Sequence, residues 1–157
     1  MNAIKLIELF DHAAQHLKWP KIRYQTEHCK IQFSRMSEGS RMPGSLWVSD
    51  GQFGYDHMYC IINRQANVIW NQQQKPNSDI IHAIYDFVEK PVELSQISGR
   101  SYNHCCFCGR ELTDARSVFY GYGPICANNW GLPWDDAMEV KQEMKENELA
   151  DKIKNLL

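Results

Sequence analysis

Cys105 and Cys108 stand in C-x2-C spacing inside His104-Cys105-Cys106-Phe107-Cys108-Gly109-Arg110, and Cys126 follows Gly121-Tyr122-Gly123-Pro124-Ile125. Two thiols set two residues apart project from one side of a tight turn. That is the bite a tetrahedral Zn²⁺ needs at ~2.3 Å per Zn–S bond. Gly109 supplies the backbone freedom such a turn demands. The Gly-Tyr-Gly-Pro run delivers Cys126 to the start of a helix, where the positive end of the peptide dipole favours a thiolate. The pattern C-x2-C-x17-C therefore predicts a structural zinc site with three ligands, Cys105, Cys108 and Cys126, and a fourth to find. Cys106 is the first choice, because thiolate suits zinc and it adjoins the knuckle; His104 is the second. Asn129, one helical turn beyond Cys126, occupies a common ligand position but is a poor zinc donor. Cys29, Cys60, His57 and His82 are donors that the other half of the chain could bring.

Arg110, Asp114 and Arg116 flank the knuckle, where guanidinium groups would offset thiolate charge or simply face solvent. Tyr120 and Tyr122 either build a miniature core around the metal or stack on a nucleobase. Trp130 and Trp134, on either side of Gly131-Leu132-Pro133, are placed to lock the tail against the site. Catalytic signatures are absent: the chain has no G-x-S-x-G, no Walker A loop and no H-E-x-x-H. The zinc-deaminase pattern fails too, because Cys126 has no cysteine three residues later. Asp135-Asp136 reads as helix-capping charge. The expectation is a protein that is not an enzyme, with an unrecognised zinc enzyme as the remote alternative.

The elements that must position this site are legible from periodicity. Ala3, Leu6, Ile7, Phe10, Ala13, Ala14 and Leu17 form one apolar stripe, predicting a helix over 3–17 that Trp19-Pro20 stops. Ile22 and Tyr24, then Cys29, Ile31 and Phe33, alternate with polar neighbours and read as two strands with a turn near Glu27-His28. Residues 37–44 are loop by composition. Leu46-Trp47-Val48, Met58-Tyr59-Cys60-Ile61-Ile62 and Val68-Ile69-Trp70 read as further strands, the last two a hairpin. Ser78 or Asp79 caps a helix to about Glu89, Pro91 interrupts, and a short helix covers Val92–Ile97. The expected fold is α+β: an N-terminal helix packed on a small antiparallel β-sheet, then a helix, the zinc knuckle and a C-terminal helix. The division expected is an α+β domain over 1–98, a zinc-binding subdomain over 99–134 and an acidic helix over 135–157. In that tail Ala137, Val140 and Met144 share one face, while Leu149, Ile153 and Leu156 lie opposite, which predicts a bend near Asn147.

With 157 residues, 43% of them hydrophobic and 23% charged, the chain can bury a full core. It has no apolar run long enough for a membrane span and nothing resembling a signal peptide at Met1–Lys5. Crowding of the six cysteines toward 105–126 favours metal over disulfides, and hence a reducing cytoplasm. Net charge is −2, but it is uneven. Lys18, Lys21, Arg23, Lys30, Arg35 and Arg41 face only Glu27 and Glu38 between residues 18 and 42, while the stretch 135–154 is acidic. The basic stretch is either a solvated sheet face or a weak nucleic-acid signature.

The run Cys105-Cys106-Phe107-Cys108-Gly109-Arg110-Glu111-Leu112-Thr113-Asp114, with Arg116-Ser117, Gly121-Tyr122-Gly123-Pro124, Cys126-Ala127 and Gly131-Leu132-Pro133-Trp134, resembles a zinc-finger-like domain-of-unknown-function family of bacteriophage and bacterial proteins. More loosely, Pro43-Gly44-Ser45-Leu46-Trp47-Val48 is similar to a short element upstream of the finger in those proteins, although Tyr59-Cys60-Ile61 departs from the glycine-centred strand they carry. The resemblance implies a zinc site and a phage or prophage origin, hence residence in the host cytoplasm; it implies no activity. Two functions are expected. The first is a small zinc-held module binding nucleic acid through Lys21, Arg23, Arg35, Arg41, Arg110 and Arg116. The second is a phage-encoded factor that engages a host protein, an enzyme or a defence complex, through the acidic tail and exposed aromatic surface.

Overall fold

Hydrophobic alternation builds the first half. The computed structural model describes residues 2–135 and 146–154. Helix α1 (Ile4–Ala14) buries Leu6, Ile7, Phe10 and Ala13. Five strands follow: β1 (Lys21–Gln25), β2 (Lys30–Arg35), β3 (Leu46–Ser49), β4 (Met58–Ile62) and β5 (Val68–Trp70). They pair in chain order as one antiparallel meander, β1-β2-β3-β4-β5. Because successive side chains point to opposite faces, Ile22, Tyr24, Ile31, Phe33, Leu46, Val48, Cys60 and Ile62 all enter the core. Pairing in register carries Lys21, Ser34, Trp47, Ile61 and Ile69 across the other face as one row. Lys21, Arg23 and Ile69 of that face are exposed.

Helix α2 (Ser78–Glu89) covers the inner face, stacking Phe87 on Phe33 with ring centroids 4.8 Å apart. Its cap is Asn77, one residue earlier than expected, whose side chain accepts from the Ile80 amide at 3.0 Å. Helix α3 runs from Pro91 to Tyr102, well beyond the expected Ile97. Beyond Pro91 its buried residues are Ser95, Ser98 and Gly99, small residues that give no apolar stripe to read. They serve close approach instead: a Cβ on Gly99 would collide with the Gly121 carbonyl.

Two short helices follow α3. Helix α4 (Ala115–Tyr120) was not expected; Asp114 caps it, accepting from the Ser117 amide at 3.0 Å. Helix α5 (Pro124–Trp130) starts at the proline of Gly-Tyr-Gly-Pro. The α+β class and the order of elements agree with the sequence. Helix α3 passes through the expected division at 98/99, and the buried residues of the knuckle share one core cluster with α1, the sheet and α2. In the tail, residues 146–154 are helical and exposed. Ala137, Val140, Met144 and Leu156, and with them the full test of a bend near Asn147, lie outside the described residues.

Candidate metal centre

The knuckle is a backbone-bonded turn. Gly109 N–H donates to the Cys105 carbonyl at 2.8 Å, and Cys105 N–H donates to the Arg110 carbonyl at 2.9 Å. Gly109 sits at φ +75°, a left-handed angle that glycine adopts without strain. Phe107 N–H points at Cys105 Sγ, 3.3 Å away, the kind of backbone donor that steadies a metal thiolate. Helix α5 then brings Cys126 across, so that the sulfurs of Cys105, Cys108 and Cys126 all lie within 4.8 Å of one another. Thiolates bound at ~2.3 Å in a tetrahedron are about 3.8 Å apart. The donor set therefore fits a thiophilic divalent ion such as zinc.

The three thiols share their protons unevenly. Hydrogen bonds from Cys105 and then Cys126 hold the Cys108 thiol well below the usual range, with help from Arg110. The contact with Cys108 pushes Cys105 up, and those with Cys105 and then Cys108 push Cys126 up. A cation would take the place of those shared protons, so metal uptake releases protons.

Beneath the sulfurs lies an aromatic floor. Phe107 meets Trp130 at 5.0 Å between centroids and Tyr122 at 6.0 Å. Trp130 in turn meets Phe10 from α1 in a T-shaped contact, 4.9 Å between centroids. Tyr120 and Tyr122 are buried, which makes them core residues and takes their faces away from any nucleobase. Tyr122 Oη donates to the Pro133 carbonyl at 2.7 Å, and Trp134 lies over Tyr120 at 5.1 Å. Residues 131–135 are thereby tied down on the site.

The other expected ligands sit apart from the three sulfurs. Cys106 faces the opposite way: its thiol donates to the Ser95 carbonyl at 3.7 Å, and burial pushes its pKa up to about 12. The structure does not bring Cys106 into the group. His104 is exposed, with Nδ1 donating to the Tyr102 carbonyl at 2.8 Å. Cys60 is sealed in the sheet core, its pKa raised by burial to about 12. Cys29 contacts Thr26 Oγ1 at 3.2 Å, and His57 is paired with Asp50 at 2.7 Å. His82 lies exposed on α2. Asn129, half-buried, lines the same hollow as the three cysteines.

The basic residues named from the sequence do not form one patch. Lys21 and Arg23 are exposed on the outer face of β1. Arg35 is engaged with Asp11 at 3.5 Å and Glu38 at 3.2 Å. Arg41 is exposed on the β2–β3 loop, and Arg110 is exposed beside Cys108. Arg116 is half-buried, its guanidinium 4.2 Å from the centroid of Trp134. One link between the two halves had no sequence signal. The Arg23 amide donates to the Cys106 carbonyl at 2.8 Å, tying strand β1 to the knuckle.

A family model described as a family of unknown function (DUF6011) matches residues 98–131, the end of α3 through the knuckle, α4 and α5. No curated protein and no solved structure matches the chain. No helix of the described residues is long and apolar enough to cross a membrane.

Proposed function

We propose that this is a zinc-held, non-enzymatic module of phage type that binds nucleic acid in the host cytoplasm. Zinc would take Cys105, Cys108 and Cys126, with its fourth position filled from the Asn129 side of the hollow or by water, and would hold the knuckle in place. The observation carrying the binding part is the Arg23 amide bond to the Cys106 carbonyl. It fixes the basic outer face of β1, with Lys21 and Arg23, against the knuckle that carries Arg110, so that both surfaces can meet one polyanion. Arg41 stands apart on the β2–β3 loop, and Arg35 and Arg116, held by carboxylates and by Trp134, act as supports.

Two measurements test this reading. Elemental analysis of protein purified without chelator should return about one zinc per chain. Fluorescence anisotropy with a single-stranded oligonucleotide should show log affinity falling linearly with log salt, with a slope of about −2 for three neutralised phosphates. Absence of binding even at ~50 mM salt, where counterion release favours it most, would remove nucleic acid as the ligand.

A second reading, a phage-encoded factor engaging a host protein, draws on the large apolar side chains left in solvent. Phe53 is fully exposed and Trp19 is 62% exposed. Recovery from host lysate with and without nuclease separates the two readings. One stoichiometric protein that survives nuclease would favour the second.

A further inference from the structure

The register of the first hairpin puts four polar side chains on the outer face as a square. Arg23 stands directly opposite Gln32, and Gln25 directly opposite Lys30. Residues two apart on a strand share a face, and diagonal neighbours across a pair lie within reach of long side chains. Arg23 and Lys30 are therefore a diagonal pair of cations with an amide beside each. They form the floor of a cleft of about 420 Å³, walled by Gln52 from the β3–β4 loop and His104 from the knuckle. Tyr102 and the one carboxylate, Asp50, also line it. Asp50 is already engaged by His57 at 2.7 Å. Among the described residues neither Arg23 nor Lys30 has an ion-pair partner.

Two cations that face the same hollow repel each other, and the single carboxylate in its lining, Asp50, leaves it with an excess of positive charge. An anion between them would relieve that repulsion and be held by charge-assisted hydrogen bonds. The cleft wall is also shaped for it. The Arg23 guanidinium crosses the bare backbone of Gly109, where an added Cβ would lie 3.2 Å from Nη1. The Arg23 main chain is fixed by the Cys106 carbonyl at 2.8 Å. Three glutamines at the rim offer paired donors and acceptors of the kind that match a base edge.

We infer that this cleft is a nucleotide site, in which Arg23 and Lys30 clamp one phosphate and Gln25, Gln32 and Gln52 face the base. As part of a polymer-binding surface it rests on the nucleic-acid reading above. As a site for a single nucleotide it stands by itself.

The test uses zinc-replete, full-length protein and two probes, uridine 5′-monophosphate and a fluorescein-labelled dT oligonucleotide. Amide and side-chain NMR shifts with the mononucleotide should move at Arg23, Gln25, Lys30, Gln32 and Gln52, and inorganic phosphate should reproduce the Arg23 and Lys30 part alone. Arg23→Gln and Lys30→Gln should each weaken oligonucleotide binding about tenfold, and the double variant should lower the salt slope by about 0.7, the share of one single-strand phosphate. Lys5→Gln, on α1, should change neither. Should Arg23→Gln misfold, Lys30→Gln with a native-like spectrum still decides the question. If the oligonucleotide binds and both cleft variants bind like the parent, the cleft inference is overturned and the broader reading stands. If only the mononucleotide shifts the cleft, the site holds and the polymer reading falls. If neither probe moves these residues, no nucleotide site exists here.

Discussion

The sheet and the knuckle solve the same problem by different means. The five-stranded sheet is stabilised by area: alternating side chains from β1 to β4 meet α1 and α2 and bury a continuous apolar layer. The segment from Tyr102 to Gly123 has no strand, only the single bridge between His104 and Glu111, and its one helix is six residues long. It is arranged instead around three sulfurs and an aromatic floor. Buried area is distributed, so any single residue of the sheet carries a modest share. A metal is concentrated, so any one ligand carries most of its contribution. The two regions should therefore respond to mutation on different scales.

Cys126→Ser breaks that comparison most directly. Zinc should be lost from the protein by elemental analysis, and Trp130 fluorescence should shift as the floor opens, with a destabilisation of several kcal/mol set by lost metal binding. The far-ultraviolet signature of the sheet should persist. Loss of the sheet in the same step would show that the regions fold as one unit.

Phe10→Ala attacks the joint rather than either side. Phe10 is fully buried and packs T-shaped against Trp130. Truncation should cost about 3–5 kcal/mol by urea denaturation, with metal content unchanged if the knuckle keeps its own order.

Cys106→Ser sharpens the ligand assignment. A serine hydroxyl can still donate to the Ser95 carbonyl, so the variant should keep its zinc and lose only about 1 kcal/mol. Loss of metal would return Cys106 to the ligand set.

Arg64→Gln should have the smallest effect. Arg64 holds both carboxylate oxygens of Asp11, at 2.7 and 2.9 Å, on the exposed side of α1. Burial alone would raise the Asp11 pKa, but the hydrogen bonds and charge of Arg64 outweigh it and the pKa is lowered. A depressed carboxylate pKa contributes stability above its unfolded value, and that contribution is lost as pH falls through the folded value. The variant should lose about 0.5 kcal/mol at neutral pH, and the difference should vanish in acid.

The sheet was legible in the sequence because its residues alternate: Ile22 and Tyr24, Ile31 and Phe33 each declare a face. The three-cysteine group was legible because spacing alone sets its bite. What stayed hidden depends on contacts distant in the chain. The length of α3 rests on Gly99 meeting Gly121, and small residues look like a break until their partner is known. The direction of the Cys106 thiol follows from the Ser95 carbonyl, a contact between α3 and the knuckle that no spacing announces. Helix α4 is too short to show a period. The cleft residues were scattered among ordinary strand polars until register set Arg23 against Gln32 and Gln25 against Lys30.

The contact of Phe10 with Trp130 also governs the order in which the molecule can assemble. The meander pairs only neighbours in sequence, so its loops close at small entropic cost and early. Helix α1 is made first, yet the ring that receives Phe10 belongs to the last helix before the tail. During synthesis α1 can cover the sheet as soon as the strands exist, but that side of Phe10 must wait until α5 has left the ribosome.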